Sequence, residues 1–495
     1  MKVSRAEIAS RAEERKITVQ RQRASSRGLE LVLLIAASLI VGTGLWLVYA
    51  AKTHDAADVE KSTLNLNSLS GPQQLIPSLE MMPEPHDREV AANRIFQAIQ
   101  EGAHFENDGA ILRLRTPDKK RVLTSTEFAL LKPTLRVRDL SAFRRKFLLW
   151  TLLFFVSFFV VHFVWQFRKF TGDKLFLPIM MLLSGVGLIL MISLRDPLRD
   201  TLMFTDFAQG VLWGCLALIA FSIPDYERHF SRLSWVPLAV SLLLALGLGI
   251  FGSGPGGSDA KVNLFFFQPV EIIRILLVFF LAGYFAQNWD ALRQLRQKDA
   301  RFEKFNVPRL DYVLPVILGV LTSLALFFWL SDLGPALVIG CLFLTMYSIA
   351  RNRVLLATAG LAVIIMGFAG GYLTGFPHTV TQRVQMWKSP WDNHVRGGDQ
   401  LADSLWALSS GAVTGSGLGL GEPETMPAAH TDLIVSAFGE QAGLLGVLAL
   451  YLLYSVLIYR SLRIAATASP RRVAYSEAFG NGAQNCFVFG SFQIS

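Results

Sequence analysis

Residues 427–446 read PAAHTDLIVSAFGEQAGLLG, a proline-led polar stretch that turns into an apolar run. His430 and Asp432 stand at the mouth of that run and Glu440 lies inside it. Asp432, Ser436 and Glu440 recur every four residues, the spacing that puts side chains on one face of a helix. At a rise of about 1.5 Å per residue, Glu440 is expected about 12 Å further along the helix than Asp432. A carboxylate at the aqueous edge of an apolar helix can do one of two things. It can cap the helix, as Thr431 or Asp432 would ahead of an apolar run. It can also accept a proton as a general base, helped by partial desolvation. Taken alone, the stretch reads first as a cap. The deeper Glu440 must face the protein interior and find a partner there. Candidates are Glu271 and Arg274, one helical turn apart on another apolar run, with Asp332 as a further buried charge.

The elements that hold these residues are read from composition. The chain has 495 residues, 52% hydrophobic and only 17% charged. Ten apolar runs approach or exceed the roughly 20 residues a bilayer span needs. They are 31–51, 147–167, 175–194, 207–223, 235–251, 270–286, 312–331, 336–350, 354–375 and 433–459. The fold class expected is an all-α polytopic membrane protein of about ten transmembrane helices with a small external α+β insert. With residues 1–28 inside, alternate short loops on the cytoplasmic side carry thirteen Lys or Arg against six outside. The N-terminus is therefore expected in the cytoplasm, with the chain crossing the cytoplasmic (inner) membrane many times. The net charge of +9 is loop charge of this kind, and no nucleic-acid partner is implied. Cys215, Cys341 and Cys486 show neither metal-ligand spacing nor a disulfide framework.

Six segments follow: a basic N-terminus (1–28), a first span (29–51), an external insert (52–146), a second span with a short loop (147–174), a membrane core (175–465) and a tail (466–495). Within the insert, residues 88–100 have helical spacing and residues 109–115, GAILRLR, alternate like a strand. The run LNLNSLSGPQQLIPSLE is similar to the opening of a helix-hairpin-helix module but lacks its glycines, and the plainer reading is a docking domain. The other long connection, 376–432, is rich in Gly, Trp and Pro, and long loops of this kind are usually functional. Its GSGLGLG run follows no strand and is no nucleotide fingerprint.

Four blocks, in order, resemble the SEDS proteins (shape, elongation, division and sporulation), the family of RodA and FtsW. They are MISLRDP (191–197), FQPVEIIRILLVFFLAGYFA (267–286), SDLGPALV (331–338) and the loop from Arg383 through AAHTDLIVSAFGEQAGLLG. The resemblance implies polymerisation of lipid II, beside a class B penicillin-binding protein and other elongation or division proteins. It also implies that Asp432 is the key aspartate. In such chemistry a base takes a sugar hydroxyl proton and cations offset a leaving pyrophosphate. Arg383, Lys388 and Arg396 are the only Lys or Arg of the loop and are candidate pyrophosphate ligands; interface anchoring is the alternative. Gln400, Glu424 and His430 are further candidates for the substrate pocket, while Trp387, Trp391 and Trp406 read as an interfacial aromatic belt. Reactions on pyrophosphates often use a divalent cation, Mg²⁺ or Mn²⁺, but no ligand cluster singles one out. Two alternative functions remain, a transporter of lipid-linked precursor and an inactive scaffold for a penicillin-binding protein. The family pattern continues through two more helices, so the tail GNGAQNCFVFGSFQIS is expected to reflect truncation or a shifted reading frame.

The orientation has a direct test. In a background without native cysteines, Ser70→Cys and Ser389→Cys should react with a membrane-impermeant thiol reagent in intact spheroplasts. Asn306→Cys should stay unlabelled until the membrane is opened, and labelling there beforehand would reverse the topology.

Overall fold

The computed structural model describes residues 5–54, 56–80, 82, 84–115, 121–170, 172–223, 235–254, 263–264, 268–294, 317–322, 324–325, 333–351, 355–375, 378–391, 398–422, 426 and 429–467. Each of the ten apolar runs carries helix among these residues. Five of the helices are long and apolar enough to cross a membrane: Arg27–Ser62, Leu140–Phe167, Phe176–Ser193, Met203–Phe221 and Ile434–Ile464. Trp235–Phe251, Ala336–Ser348 and Thr358–Thr374 are shorter apolar helices. Leucines, isoleucines, phenylalanines and tryptophans along these helices are widely exposed, as for surfaces solvated by lipid rather than water. The protein is thus an all-α, multi-pass membrane protein.

The chain divides into two compact units. The first holds residues up to Ile219 together with Asp399–Tyr454. In it the first helix, Arg5–His54, lies along Phe176–Ser193. The approach is close because glycines face bulky side chains: a Cβ on Gly185 would lie 2.3 Å from Val41 Cγ2, and one on Gly44 would lie 2.5 Å from Ile189 Cδ1. Small residues at such contacts replace the hydrophobic driving force that lipid cannot supply. Beside this contact is a buried polar knot. Glu30, fully buried, takes Arg27 Nη1 at 3.2 Å and His162 Nδ1 at 2.8 Å, while the Arg27 guanidinium also donates to the Phe170 carbonyl. It ties the first helix to Leu140–Phe167. Breaking such a buried set by removing one partner strands the others.

The insert between these two helices has its own core, built from Leu66, Leu75, Ile95, Ile111, Leu131 and their neighbours. Residues Pro85–Gln100 form the expected helix. Its sheet is one parallel pair of two-residue strands, Leu64–Asn65 with Leu135–Arg136. The strand expected over 109–115 is instead a 3-10 helix, Asp108–Arg113. Strand pairing is confined to its end, where Arg115 bridges Arg121 and Leu114 O accepts from Val122 N; before that the amides bond locally, Ala110 N to Asn107 O and Leu114 N to Ile111 O, while Ile111 is still buried. The insert is fastened to the loop after Ser193. Val137 N donates to Leu198 O at 2.9 Å, Asp108 N to Arg199 O at 3.1 Å, and Arg199 returns bonds to the carbonyls of Leu135 and Pro133.

The second unit holds Ala220–Gly398 and Ser455–Gly490. Helix Val270–Gln294 packs between Trp235–Phe251 and Leu333–Arg351, around Phe280, Tyr284 and Phe285. Leu355–Thr374 follows, then the short helix His378–Lys388.

Gly185→Ala tests the first contact. The added methyl meets a β-branched side chain with little freedom to move. It should cost about 1–3 kcal/mol of stability, seen as a lower melting temperature of the detergent-solubilised protein. An unchanged melting temperature would show that the two helices can part without loss.

Candidate functional site

Asp432 is exposed at the end of a turn that spans residues 429–433; the last helix begins at Ile434. The carboxylate therefore stands two residues ahead of the helix, outside its first turn. Its neighbours explain its direction. Ala429 is buried with Leu194, Met426 and Ala437, and Leu433 packs against the same cluster. With apolar anchors on both sides turned inward, Asp432 faces the solvent. Among the described residues its carboxylate makes no hydrogen bond or ion pair, so it is open to a reacting group. His430 is half-buried beside it. Burial holds its pKa below the usual histidine value, the Arg195 charge adds to that, and Asp432 opposes it. The imidazole is therefore neutral at pH 7.

The helix that starts at Ile434 is broken. Gly443 has φ 66° and ψ −172°, outside any helix. The residues Gly411–Gly417 fill the break with their own backbone. Ser416 N donates to Glu440 O at 2.9 Å and Gly417 N to Gln441 O at 3.0 Å; on the other side Leu444 N donates to Ala412 O and Leu445 N to Val413 O, at 3.0 and 3.1 Å. Backbones can come this close only without side chains. A Cβ on Gly415, also at positive φ, would lie 2.1 Å from Gln441 O, and one on Gly443 would lie 2.4 Å from Gly415 N. This accounts for the glycine-rich run: it serves the helix rather than a nucleotide.

Buried polar side chains reinforce the joint. Ser436 Oγ and Ser404 Oγ are 2.7 Å apart and tie the helix Gly398–Ser410 to the last helix. Gln441, 1% exposed, accepts from Ser193 Oγ at 2.7 Å and from Gly419 N at 2.9 Å. Glu440 Oε1 accepts the Glu422 N–H at 2.8 Å, while Oε2 is buried without a hydrogen-bond partner among the described residues. Neither Gln441 nor Arg195 stands out in the sequence. The amide sits in an apolar run with no charge to mark it, and the arginine is far from Asp432 along the chain.

The remaining candidates fall as follows. Gln400 is exposed on the helix Gly398–Ser410. Arg383 and Lys388 are exposed on the helix His378–Lys388 of the second unit, and Lys388 Nζ donates to Tyr372 OH at 2.9 Å. Arg274 bonds Glu271 on its own helix at 2.7 Å. Arg396, Glu424 and Asp332 lie outside the described residues. No three His, Cys, Asp or Glu side chains among the described residues are placed to hold a metal ion, and no step below passes through one.

Long apolar helices of this kind, repeated along one chain, define the class of multi-pass membrane proteins. The chain belongs to the cell cycle protein family of FtsW, RodA and SpoVE, whose family model matches residues 173–494. It is 30% identical over 341 residues to the peptidoglycan glycosyltransferase RodA of Mycobacterium leprae, covering 67% of this chain and 70% of that one. It is also 30% identical to the peptidoglycan glycosyltransferase RodA of Mycobacterium tuberculosis strain H37Rv, over 64% of this chain and 67% of that one. A probable peptidoglycan glycosyltransferase FtsW of Thiomicrospira cyclica is 31% identical over 53% of this chain and 64% of its own length.

Gly443→Ala tests the joint. A side chain at positive φ costs roughly 1–3 kcal/mol, and here it also drives residues 411–417 off the helix. Limited proteolysis should cut that loop at least several-fold faster than in the parent. Equal cutting rates would mean that the loop does not depend on the break.

Proposed function

We propose that this chain polymerises lipid II into glycan strands as a peptidoglycan glycosyltransferase of cell elongation or division. The observation that carries this reading is the Asp432 carboxylate, open and rigidly backed, within the residues that match the family. The acceptor sugar's hydroxyl attacks the anomeric carbon of the donor with inversion. A new carbon–oxygen bond forms, the bond to the lipid pyrophosphate breaks, and the hydroxyl proton passes to Asp432. The departing pyrophosphate carries away the electron pair and needs cations nearby. Arg383, Lys388 and Arg396 are the candidates that the sequence of the loop offers; within the first unit, Arg195 is a cation close to His430. A neutral His430 can donate one hydrogen bond to the substrate without competing with Asp432 for its proton.

The resemblance to the family supports a class B penicillin-binding protein, which would crosslink such strands, as the partner. The basic bias of alternate loops supports a cytoplasmic N-terminus and an external Asp432. The broken helix with its buried Glu440 favours one second reading, translocation of a lipid-linked precursor, since transporters use such interruptions at their binding sites.

Asp432→Asn separates these readings. Asparagine keeps the size of aspartate but cannot act as a base. Polymerisation of purified lipid II, followed on a gel, should fall by about 10²-fold or more with the melting temperature unchanged. Parental polymerisation by Asp432→Asn would remove the catalytic assignment. Flipping of lipid II into the outer leaflet of vesicles, with no polymer, would select the transporter.

A further inference from the structure

Helix Leu140–Phe167 ends in a turn occupied by an unexpected residue. Lys169 N donates to Gln166 O at 3.1 Å and Phe170 N to Trp165 O at 2.9 Å. These are the bonds of a left-handed helix stop, whose central position is usually glycine. Here it is Lys169, at φ 53°. A side chain makes that conformation costly, whereas glycine adopts it freely. A cation near a helix C-terminus is favoured by the helix dipole. Arg168, one residue earlier and unstrained, already meets that need. The turn is held from both sides. The Phe170 ring lies against Trp165, 4.9 Å between centroids, and the Arg27 guanidinium of the first helix stands over both rings and donates to the Phe170 carbonyl.

Arg168 and Lys169 are exposed, and among the described residues neither side chain has a hydrogen bond or an ion pair. Lys174 adds a third cation to the stretch 168–174, in which Asp173 is the one acidic residue. Just before the cations come Phe163 and Phe167, 46% and 84% exposed and four residues apart, hence on one face. A helix long and apolar enough to cross a membrane thus passes from lipid-facing rings to open cations within one turn. The headgroups of a bilayer lie at that boundary. Helix Phe176–Ser193 then runs from this turn to Leu194, in the cluster that seats the Asp432 turn; its 18 residues span about 27 Å at about 1.5 Å each. The cations are therefore at the far end of these helices from Asp432, on the cytoplasmic side by the bias of loop charge.

We propose that residues 163–169 form a docking site for an anionic phospholipid of the cytoplasmic leaflet, with Arg168 and Lys169 on its phosphate and Phe163 and Phe167 along its acyl chains. Cations beside a membrane span draw on the net negative charge of such a lipid, which a zwitterionic lipid lacks. The strained backbone at Lys169 is offset by the contact its ammonium makes with the headgroup. The lipid sits beside the joint at which Arg27, Glu30 and His162 tie the first helix to Leu140–Phe167.

The test is native mass spectrometry of the detergent-solubilised full chain with dioleoylphosphatidylglycerol and dioleoylphosphatidylcholine. The two share their acyl chains and a phosphodiester and differ in net charge. The parent should retain the anionic lipid several-fold better. Lys169→Gln keeps the strained backbone without the charge and should lower that preference about fivefold, the worth of one cation at the membrane surface; Lys169→Arg should keep it. Lys169→Gly should lose the preference to the same degree while melting no lower than the parent, because the strain leaves with the side chain. A parent without preference for the anionic lipid overturns the proposal, as does parental preference in the double variant Arg168→Gln with Lys169→Gln. A clear drop in the melting temperature of Lys169→Gly would show that the lysine serves the fold rather than a lipid, which also overturns it. Displacement of the bound lipid by glycerol 3-phosphate alone would overturn the membrane-lipid assignment in favour of a free phosphate.

Discussion

Four backbone hydrogen bonds across the gap at Gly443 are the constraint on which the first unit depends. A helix broken inside an apolar span leaves carbonyls on one side and amides on the other without partners, each costing several kcal/mol in hydrocarbon. Here 411–417 supplies two amides and two carbonyls, so both sides of the break are satisfied. The loop cannot leave without exposing the break, and the break cannot exist without the loop. Gln441 and Ser193 then fasten the joint to the helix Phe176–Ser193, which carries the first helix on its other contacts.

This joint gives an exposed carboxylate a fixed position. Asp432 has no hydrogen bond of its own among the described residues to hold it. Its place comes from Ala429 and Leu433, packed into the cluster with Leu194, and from the helix that begins at Ile434. A base that must stay open to substrate is thus positioned through the backbone rather than through bonds to its own oxygens. The loop after Ser193 serves three surfaces at once: it lines a cavity beside Lys52, carries Arg195 towards His430, and receives the insert.

Much of this was legible in the sequence, for identifiable reasons. Apolar spans are a property of composition, so all ten runs can be found without knowing what packs against what. The block around Asp432 is marked by polar residues in an apolar context. The break was not legible, because a glycine inside a transmembrane run reads as tolerable. The partner of Gly443 lies in a glycine run that has meaning only once the two backbones meet. Residues 109–115 alternate like a strand, but among the described residues only Arg115 finds a bridge partner, Arg121, and nothing in the alternation marks where that pairing stops. Gln441 was missed because an uncharged amide leaves no mark in an apolar run.

Surface loops ordinarily drift in length at little cost. The 411–417 loop has lost that freedom. Its residues are in register with a helix more than twenty positions away, so an inserted residue would shift every amide past its carbonyl. By the measure of what it tolerates, this glycine-rich connection is core, and a relative that lengthened it would have to rebuild the last helix at the same time.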